Sequence, residues 1–387
     1  MLNDKLSNIL NFQQLYLSPT NTLPIFIPDY DMVKSAFFET MDAIGGDLIG
    51  RGDRVLIKPN LLSPASPPDA VLTHPMIVRA AVEYVLQKGA RPQVSDSPAI
   101  GSFEKIMKDS GIGDALAGLD VDCRAFENSL RTDIGEPFNA IEMAEDAINA
   151  DVVINLPKLK THSQMLLTLG VKNMFGCIVG YRKAEWHMRA GINRTMFAKL
   201  LVLIYQRIRP SFTILDGILA MEGEGPGKSG RPKELGILMG SRDAFAVDST
   251  VCRMLGLDAD MLPTLKVARE MGIMETDIEI DGDLPMIHDF RLPSISPLMY
   301  GPRMLHGFIR RHLLQRPVPH DPTCQMCAEC WKICPAGAIS LREKKLSFDY
   351  DRCIRCFCCI EVCPYGALHA RETFPGTLMR KVVTRYF

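Results

Sequence analysis

Little in this sequence favours a membrane, a secreted framework or a nucleic-acid surface. Among its 387 residues no apolar run approaches the ~18 to 20 needed to span a bilayer, and the opening stretch MLNDKLSNILNFQQ lacks the apolar core of a signal peptide. The formal net charge of -1 gives no general attraction to nucleic acid or anionic lipid. We therefore expect a cytoplasmic protein with no membrane span and no nucleic-acid partner.

Cysteine is also scarce through most of the chain. Of the twelve cysteines, only Cys123, Cys177 and Cys252 lie before residue 324, which argues against a disulfide network spread through the protein. The other nine are crowded between residues 324 and 363. Thiols crowded in this way indicate metal binding in a reducing compartment.

The crowded cysteines form two runs, CQMCAECWKICP and CIRCFCCIEVCP. Both have the spacing C-x2-C-x2-C-x3-C-P of proteins with two [4Fe–4S] clusters, in which the fourth cysteine of each run binds the other cluster. The pattern predicts one cluster on Cys324, Cys327, Cys330 and Cys363, and a second on Cys353, Cys356, Cys359 and Cys334. A zinc ribbon is the alternative, but two complete runs disfavour it. Cys358 is left over, and we expect a packed thiol.

The two runs belong to an internal repeat, because similar phrases follow them, CPAGAISL and CPYGALHA. Between them, ISLREKKLSFD predicts a β-hairpin with a charged turn. Residues 320–371 strongly resemble the dicluster ferredoxin domain. This resemblance implies electron transfer and a redox partner protein.

Before the cysteines, short β-branched runs alternate with helical patterns such as HPMIVRAAVEYVLQKG and TMFAKLLVLIYQRI. The predicted strands are 22–27, 54–58, 92–96, 120–126, 151–156, 211–216 and 234–240. This alternation predicts an open, mostly parallel α/β sheet, followed by a small α+β ferredoxin-like domain. We divide the chain into an α/β domain at 1–284 with its core at about 50–260, a Pro/Arg-rich linker at 285–320, the ferredoxin domain at 321–371 and a tail at 372–387.

Charged or amide side chains end or follow four of the predicted strands. They are Lys58, Asn60, Asp96, Lys158 and Asp216. Open α/β sheets bind ligands outside the carboxyl ends of their strands. Any one of these residues is explained by an ordinary turn, but four strands together favour a site.

The segment NLPKLKTHSQMLLTLGVKNMFG adds Lys160, Lys172 and Asn173 to this edge. Between residues 158 and 189, six Lys or Arg side chains are opposed only by Glu185. A solvated basic face is the alternative, but the intervening residues are small or apolar. Because lysine offers a compact charge to phosphate or carboxylate, we predict an anion-binding wall for a small molecule.

Two further features are weaker candidates. The loop MEGEGPGKSG contains Gly223 and Gly225, whose backbone amides would admit a phosphate, although Gly-Pro turns are common. His74, His162 and His187 are candidate proton carriers, although a single histidine is more often structural.

With these motifs the chain resembles an uncharacterised bacterial and archaeal family, domain of unknown function 362, whose members are called iron–sulfur center proteins. The matching motifs are IKPNLL (57–62), THP (73–75), VSDSP (94–98), NLPKLKTH (155–162), GVKNMFG (170–176), DGILAMEGEGPGKSG (216–230) and AVDS (246–249). The resemblance covers residues 50–260, with the ferredoxin domain as a frequent companion. It implies no particular reaction.

Three functions fit these observations. The first is a redox enzyme that passes electrons through the clusters to a substrate or cofactor at the strand-end site. The second is an electron carrier or adaptor for a partner oxidoreductase, and the third is a non-redox enzyme whose clusters are structural or sensing. We favour the first, because a simple carrier needs no large polar-lined domain. No GxGxxG motif follows the early strands, so a standard nicotinamide site is not expected, whereas a flavin or another anionic cofactor stays open.

Overall fold

The computed structural model describes residues 22–27, 29–180, 182–190, 193–275, 277–293, 314–343, 345–371, 373 and 375, and elements are numbered over these residues. Most of the predicted linker and tail lies outside the described residues. The division of the chain into domains therefore stays a proposal.

The large domain combines strands and helices in the predicted alternation. Its described strands are β1 (Leu23–Phe26), β2 (Arg54–Pro59), β3 (Arg91–Val94), β4 (Asp122–Cys123), β5 (Ser129–Asp133), β6 (Ala140–Ala144), β7 (Val152–Leu156), β8 (Lys158–His162), β9 (Leu166–Thr168), β10 (Phe212–Gly223) and β11 (Gly230–Ser241). Its described α-helices are α1 (Val33–Ala43), α2 (Pro75–Gln87), α3 (Phe103–Asp109), α4 (Ile112–Leu116), α5 (Glu145–Asn149), α6 (Gly170–Asn173), α7 (Arg182–Ala190), α8 (Arg194–Ile208), α9 (Ala244–Met254) and α10 (Pro263–Glu270).

Nine of these strands form one sheet, in the order β1-β11-β10-β7-β2-β3-β4, with β8 beside β10 and β9 beside β8. The five strands from β10 to β4 are parallel, whereas β11 is antiparallel to both of its neighbours. The predicted fold class, a mostly parallel α/β sheet, is confirmed.

The central strands are buried on both faces, as parallel strands between two helical layers must be. In β2, Val55 and Ile57 pack on one side with helices α1 to α4, while Leu56 packs on the other side with α8 to α10. In β7, Ile154 and Val153 divide in the same way. This alternation explains why the central strands read as short, continuous apolar runs.

The two quoted helical patterns form α2 and α8. Helix α2 begins at Pro75, and Gly89 follows its last turn at a φ of 71°. Helix α8 is capped by Asn193, whose side chain accepts a hydrogen bond from the backbone N–H of Met196. Both helix predictions are confirmed.

The small domain comprises β12 (Arg316–Pro319), α11 (Glu329–Lys332), β13 (Ile339–Arg342), β14 (Lys345–Phe348), α12 (Cys358–Glu361) and β15 (Leu368–Arg371). β13 and β14 form the predicted hairpin, and β12 pairs with β15. Helices α11 and α12 each follow a left-handed residue, Ala328 and Phe357, so the internal repeat is also a repeat of backbone conformation.

The small domain packs directly against the sheet domain. Ala99 and Ile100 contact an apolar cluster that contains Ile333, Cys358 and Val362. The β10–β11 turn adds backbone contacts, because a Cβ on Gly227 would lie 2.7 Å from the Glu361 carbonyl oxygen. The two domains therefore share a close-packed interface in the described residues.

Three sequence predictions are corrected by the fold. The strand predicted at 120–126 is only Asp122–Cys123. No strand was predicted directly after 151–156, yet Lys158–His162 forms strand β8. The strand predicted at 211–216 continues to Gly223, so it absorbs the start of the glycine-rich loop. Among the described helices, none is both long and apolar enough to cross a bilayer.

The closeness of Gly227 to the small domain gives a test of this interface. Gly227→Ala should weaken the docking by about 1–3 kcal/mol, because the new Cβ meets backbone that has little freedom to move. Hydrogen exchange at residues 358–363 should rise in this variant. Gly113→Ala is the matched control, since its Cβ would meet Met107 O only at 3.4 Å. Equal exchange in the two variants would contradict the close packing.

Candidate functional site

Lys158 and Lys160 lie on strand β8, which follows β7 in the chain. Both β7 and β8 pair with the same neighbouring strand, β10. β7 pairs with the start of β10, and β8 pairs with the later part of β10 beyond the break at Pro157. Because side chains alternate along a strand, Lys158, Lys160 and His162 share one face of β8, while Leu159 joins the apolar core on the other. All three polar side chains are buried.

Lys158 is held in a cluster of its own. Its Nζ lies 2.8 Å from Asp216 Oδ2, and the Tyr30 hydroxyl donates to Asp216 Oδ1 at 3.1 Å. The ring of His74 stacks on Tyr30 at 3.4 Å, and the His74 backbone N–H donates to Asp216. Burial lowers the pKa of Lys158, although Asp216 opposes that shift. The polar groups of this cluster satisfy one another, so it reads as a structural ion pair.

Lys58 and Asp96 form a second buried ion pair, with 2.9 Å between Nζ and Oδ1. Asp96 also accepts hydrogen bonds from the backbone N–H groups of Leu61 and Ser97. A Cβ on Gly176 would collide with both members of the pair. Glycine is therefore required in GVKNMFG by the close approach of the chain to this pair.

A hydrogen-bonded chain of amides leads from the sheet to Lys160. Asn173 donates to Asn155 at 2.8 Å, Asn60 donates to Asn173 at 2.9 Å, and Lys160 Nζ donates to Asn60 at 2.8 Å and to Val71 O at 2.8 Å. Burial lowers the pKa of Lys160 to about 7, and repulsion from Lys172 adds to the shift.

The carboxylate of Asp248 lies at the start of helix α6, which carries Lys172 and Asn173. Asp248 was not predicted from the sequence as a site residue. Asp248 accepts hydrogen bonds from the backbone N–H groups of Gly170 at 2.7 Å and Val171 at 3.2 Å. Burial raises the pKa of Asp248 to about 8, although these two N–H donors oppose the shift. Asp248 lies in the quoted motif AVDS, which was the only signal for it.

A cleft of about 710 Å³, counted to its open mouth, lies where the strand ends meet the small domain. One wall comes from the sheet domain and the other from the second cysteine run. The polar lining residues are Lys58, Asn60, Asp96, Ser97, Lys172, Asn173, Lys183, His187, Cys358 and Glu361. The strand-end crevice is therefore closed on one side by the ferredoxin-like domain.

The cations of this cleft differ in their partners. Lys58 is paired with Asp96, and Lys183 donates to the backbone carbonyl of Ser97, while burial lowers the pKa of Lys183 to about 8. Lys172 Nζ has no hydrogen-bond or ion-pair partner among the described residues. Burial lowers the pKa of Lys172, and the nearby Glu361 opposes that shift.

His162 joins the sheet domain to the small domain. Its Nδ1 accepts hydrogen bonds from the backbone N–H groups of Gln164 at 3.0 Å and Met165 at 3.1 Å. The proton of the neutral ring is therefore on Nε2, which lies 2.7 Å from Glu361 Oε1. Burial lowers the pKa of His162 to about 4. Burial alone would raise the pKa of Glu361, but His162 and Lys172 outweigh it and lower that pKa.

The eight predicted cluster cysteines surround two separate cavities. One is lined by Cys324, Cys327, Cys330 and Cys363, and the other by Cys334, Cys353, Cys356 and Cys359. Backbone N–H groups donate to two of the sulfurs, Ala338 to Cys334 at 3.3 Å and Ala367 to Cys363 at 3.2 Å. Each cavity thus presents four thiols and little other polar surface, which fits a [4Fe–4S] cluster.

Of the remaining predicted residues, His187 lines the cleft, whereas His74, Gly223 and Gly225 do not. His187 lines the cleft beside Phe175 and Phe197, and burial lowers the pKa of His187 to about 3. His74 lies in the Lys158 cluster. Gly223 and Gly225 do not line the cleft: Gly223 ends β10, and Gly225 packs against Thr161. The glycine-rich turn thus supports the domain interface.

Two parts of the chain match known protein families. Residues 55–253 match the family described as "Domain of unknown function (DUF362)", and residues 323–367 match the "4Fe-4S dicluster domain". The second match supports an iron–sulfur electron-transfer role, and its ferredoxin-like character suggests a redox partner.

Solved structures with partial likeness are the lactate racemase apoprotein from Thermoanaerobacterium thermosaccharolyticum and a structural-genomics protein from Thermotoga maritima. The first is 14% identical with a TM-score of 0.41, covering 59% of this chain and 57% of that one. The second is 13% identical with a TM-score of 0.34, covering 55% and 56%. The chain thus spans little more than half the length of either.

A relative with higher sequence identity is a cyanobacterial protein. The "Thylakoid-associated protein sll1697" of Synechocystis sp. is 37% identical over 277 residues, which cover 70% of this chain and 86% of that protein. The predicted cytoplasmic location of the present chain stays a prediction. From the family match and this relative together, we conclude that the chain belongs to the DUF362 family.

Proposed function

We propose that this chain is an oxidoreductase component that passes electrons through two [4Fe–4S] clusters to an anionic substrate or cofactor bound in the cleft. The observation that carries the proposal is the shared cleft. Cationic side chains of the sheet domain, Lys58, Lys172 and Lys183, line it together with Cys358 and Glu361 of the second cysteine run.

The two thiol cavities support the number of clusters. Cys324, Cys327, Cys330 and Cys363 would hold the first cluster, and Cys353, Cys356, Cys359 and Cys334 would hold the second. When bound, each cluster supplies transfer of one electron at a time. The protein contributes the N–H donors of Ala338 and Ala367 toward the sulfurs, and such hydrogen bonds tune cluster potentials.

Within the cleft, the residues have separable roles. Lys172 would bind the negative charge of the ligand, because its ammonium group has no protein partner among the described residues. Asn173 is fixed by Asn155 and Asn60 and therefore holds helix α6 in place. His187 is the one of the three candidate histidines that lines the cleft, and its neutral ring would accept or donate a hydrogen bond to the ligand.

The cluster assignment predicts about eight iron atoms per chain in anaerobically prepared protein. Cys334→Ala should damage the second cluster and spare the first, since the fourth ligand crosses between the runs. Cys358→Ala should leave both clusters in place. Iron analysis and low-temperature EPR of the reduced protein measure these outcomes. About four irons per chain, or stoichiometric zinc, would overturn the assignment.

The anion site predicts a ligand effect at Lys172. In Lys172→Met, the affinity for the anion should fall by about 1.5–3 kcal/mol, the size of one charged hydrogen bond, while the fold and the iron content persist. Thermal-shift measurements with inorganic phosphate, citrate, AMP and flavin mononucleotide provide the measurement. Lys105→Met is the matched control, because Lys105 is exposed on helix α3.

Two results would remove this proposal. If no anion in the panel stabilises the wild type, the cleft is not an anion site, and a carrier or adaptor for a partner oxidoreductase takes its place. If an anion stabilises wild type and Lys172→Met equally, it binds elsewhere. Binding that persists in a protein whose clusters never accept electrons would instead favour a non-redox enzyme.

A further inference from the structure

The position of Lys172, which is partly exposed, sets it apart from the buried lysines of the strand ends. Lys58, Lys158 and Lys160 each have a carboxylate or a pair of oxygen acceptors within 3.0 Å. Lys172 faces the cleft without any such partner in the described residues, although it lies near Glu361. An anion in the cleft would meet this ammonium group first.

The wall that faces Lys172 lies mostly along chain segments of the second cysteine quartet, since Ile333 precedes Cys334, although Val362 precedes Cys363 of the first quartet. Cys358 and Val362 line the cleft, and Cys358 lies in the chain between Cys356 and Cys359. A ligand against Cys358 would therefore lie beside the chain segment that carries two cysteines of the second quartet. The first quartet is lined elsewhere, by Met326 and Tyr365, which are 39% and 49% exposed.

Contacts from strand β8 and from the β10–β11 turn hold the segment that carries the second quartet at a fixed distance from the cleft. His162 Nε2 lies 2.7 Å from Glu361 Oε1. Gly227 lies close to the backbone carbonyl of Glu361. The same turn also approaches the chain after Cys363, because a Cβ on Gly366 would lie 3.1 Å from the Lys228 carbonyl oxygen. The charge of a bound anion and the charge of the second quartet would therefore interact at a separation that these contacts fix.

We propose that the anion affinity of the cleft is linked to the redox state of the cluster held by Cys334, Cys353, Cys356 and Cys359, with Lys172 as the group that binds the anion. This inference rests on the proposed anion-binding function. An added electron and a bound anion are like charges, so each disfavours the other. Because linkage is reciprocal, reduction weakens anion binding by the same factor by which the anion disfavours reduction.

The test uses the anaerobic holoprotein and two redox-inert probes, inorganic phosphate and citrate. Calorimetry measures their affinity in the oxidised and the dithionite-reduced states. EPR-monitored titration measures both cluster potentials with and without a saturating probe, at ionic strength matched with chloride. We expect about tenfold weaker binding to the reduced protein, which corresponds to a lowering of one potential by about 59 mV.

Two variants identify the cluster and the cation. Met326→Asp places a negative charge beside the first quartet, so the potential that it lowers most belongs to the first cluster. The probe should lower the other potential. At the lowest probe concentration that saturates the wild type, Lys172→Met should reduce the effect of the probe on that potential, and the exposed Lys105→Met should preserve it.

Four outcomes would overturn the inference. Equal affinity in the two redox states, or a probe effect confined to the first cluster, would end the linkage and leave the anion-binding function intact. A potential that responds to Lys172→Met but not to either probe would mean that Lys172 stabilises the negative charge of the cluster itself and does not act by binding an anion. If neither probe binds the oxidised wild type, the linkage fails, and the wider ligand panel decides the fate of the proposed function.

Discussion

An ammonium group that leaves water loses several kcal/mol of solvation unless oxygen acceptors or a carboxylate take the place of that water. The strand-end edge of this protein is arranged around that requirement. Lys58 forms an ion pair with Asp96, and Lys158 forms one with Asp216. Lys160 donates hydrogen bonds to Asn60 and to the Val71 carbonyl. These partners come from different strands and loops, so the lysines cannot be buried until the sheet has brought the strand ends together.

The elements whose partners are near in sequence, or whose pattern is strongly periodic, were predictable. Strands β2 and β7 are short apolar runs because both of their faces are covered, and α2 carries its Pro75 start and Gly89 stop in the sequence. The spacing of the cysteines was equally informative. A metal cluster needs thiols at fixed separations, and the structure gathers the two crossed quartets around two cavities.

What could not be predicted depends on distant contacts. The sequence KLKTH has the composition of a loop, and it forms β8 because β10 continues beyond Asp216 to pair with it. Asp216 looked like a ligand residue because nothing nearby in sequence shows that Lys158 and Tyr30 reach it. The turn GEGPGKSG resembles a phosphate loop, yet its glycines are explained by the closeness of Thr161 and Glu361. No local pattern encodes contacts between residues 58 to 186 positions apart in the chain.

The placement of the small domain explains why the two halves of the chain are found together in one polypeptide. The sheet domain supplies the cations of the cleft, but Glu361, which faces Lys172 and His162, comes from the segment between Cys359 and Cys363. A ferredoxin-like module that bound the sheet domain only transiently would remove the Glu361 carboxylate that lies 2.7 Å from the buried His162 Nε2 each time it dissociated. The contact therefore favours a permanently docked module, in which the second quartet stays beside the cleft and the first keeps its exposed Met326 and Tyr365 toward solvent. Electrons from an outside donor would then reach the first quartet before the second, and the second before the cleft.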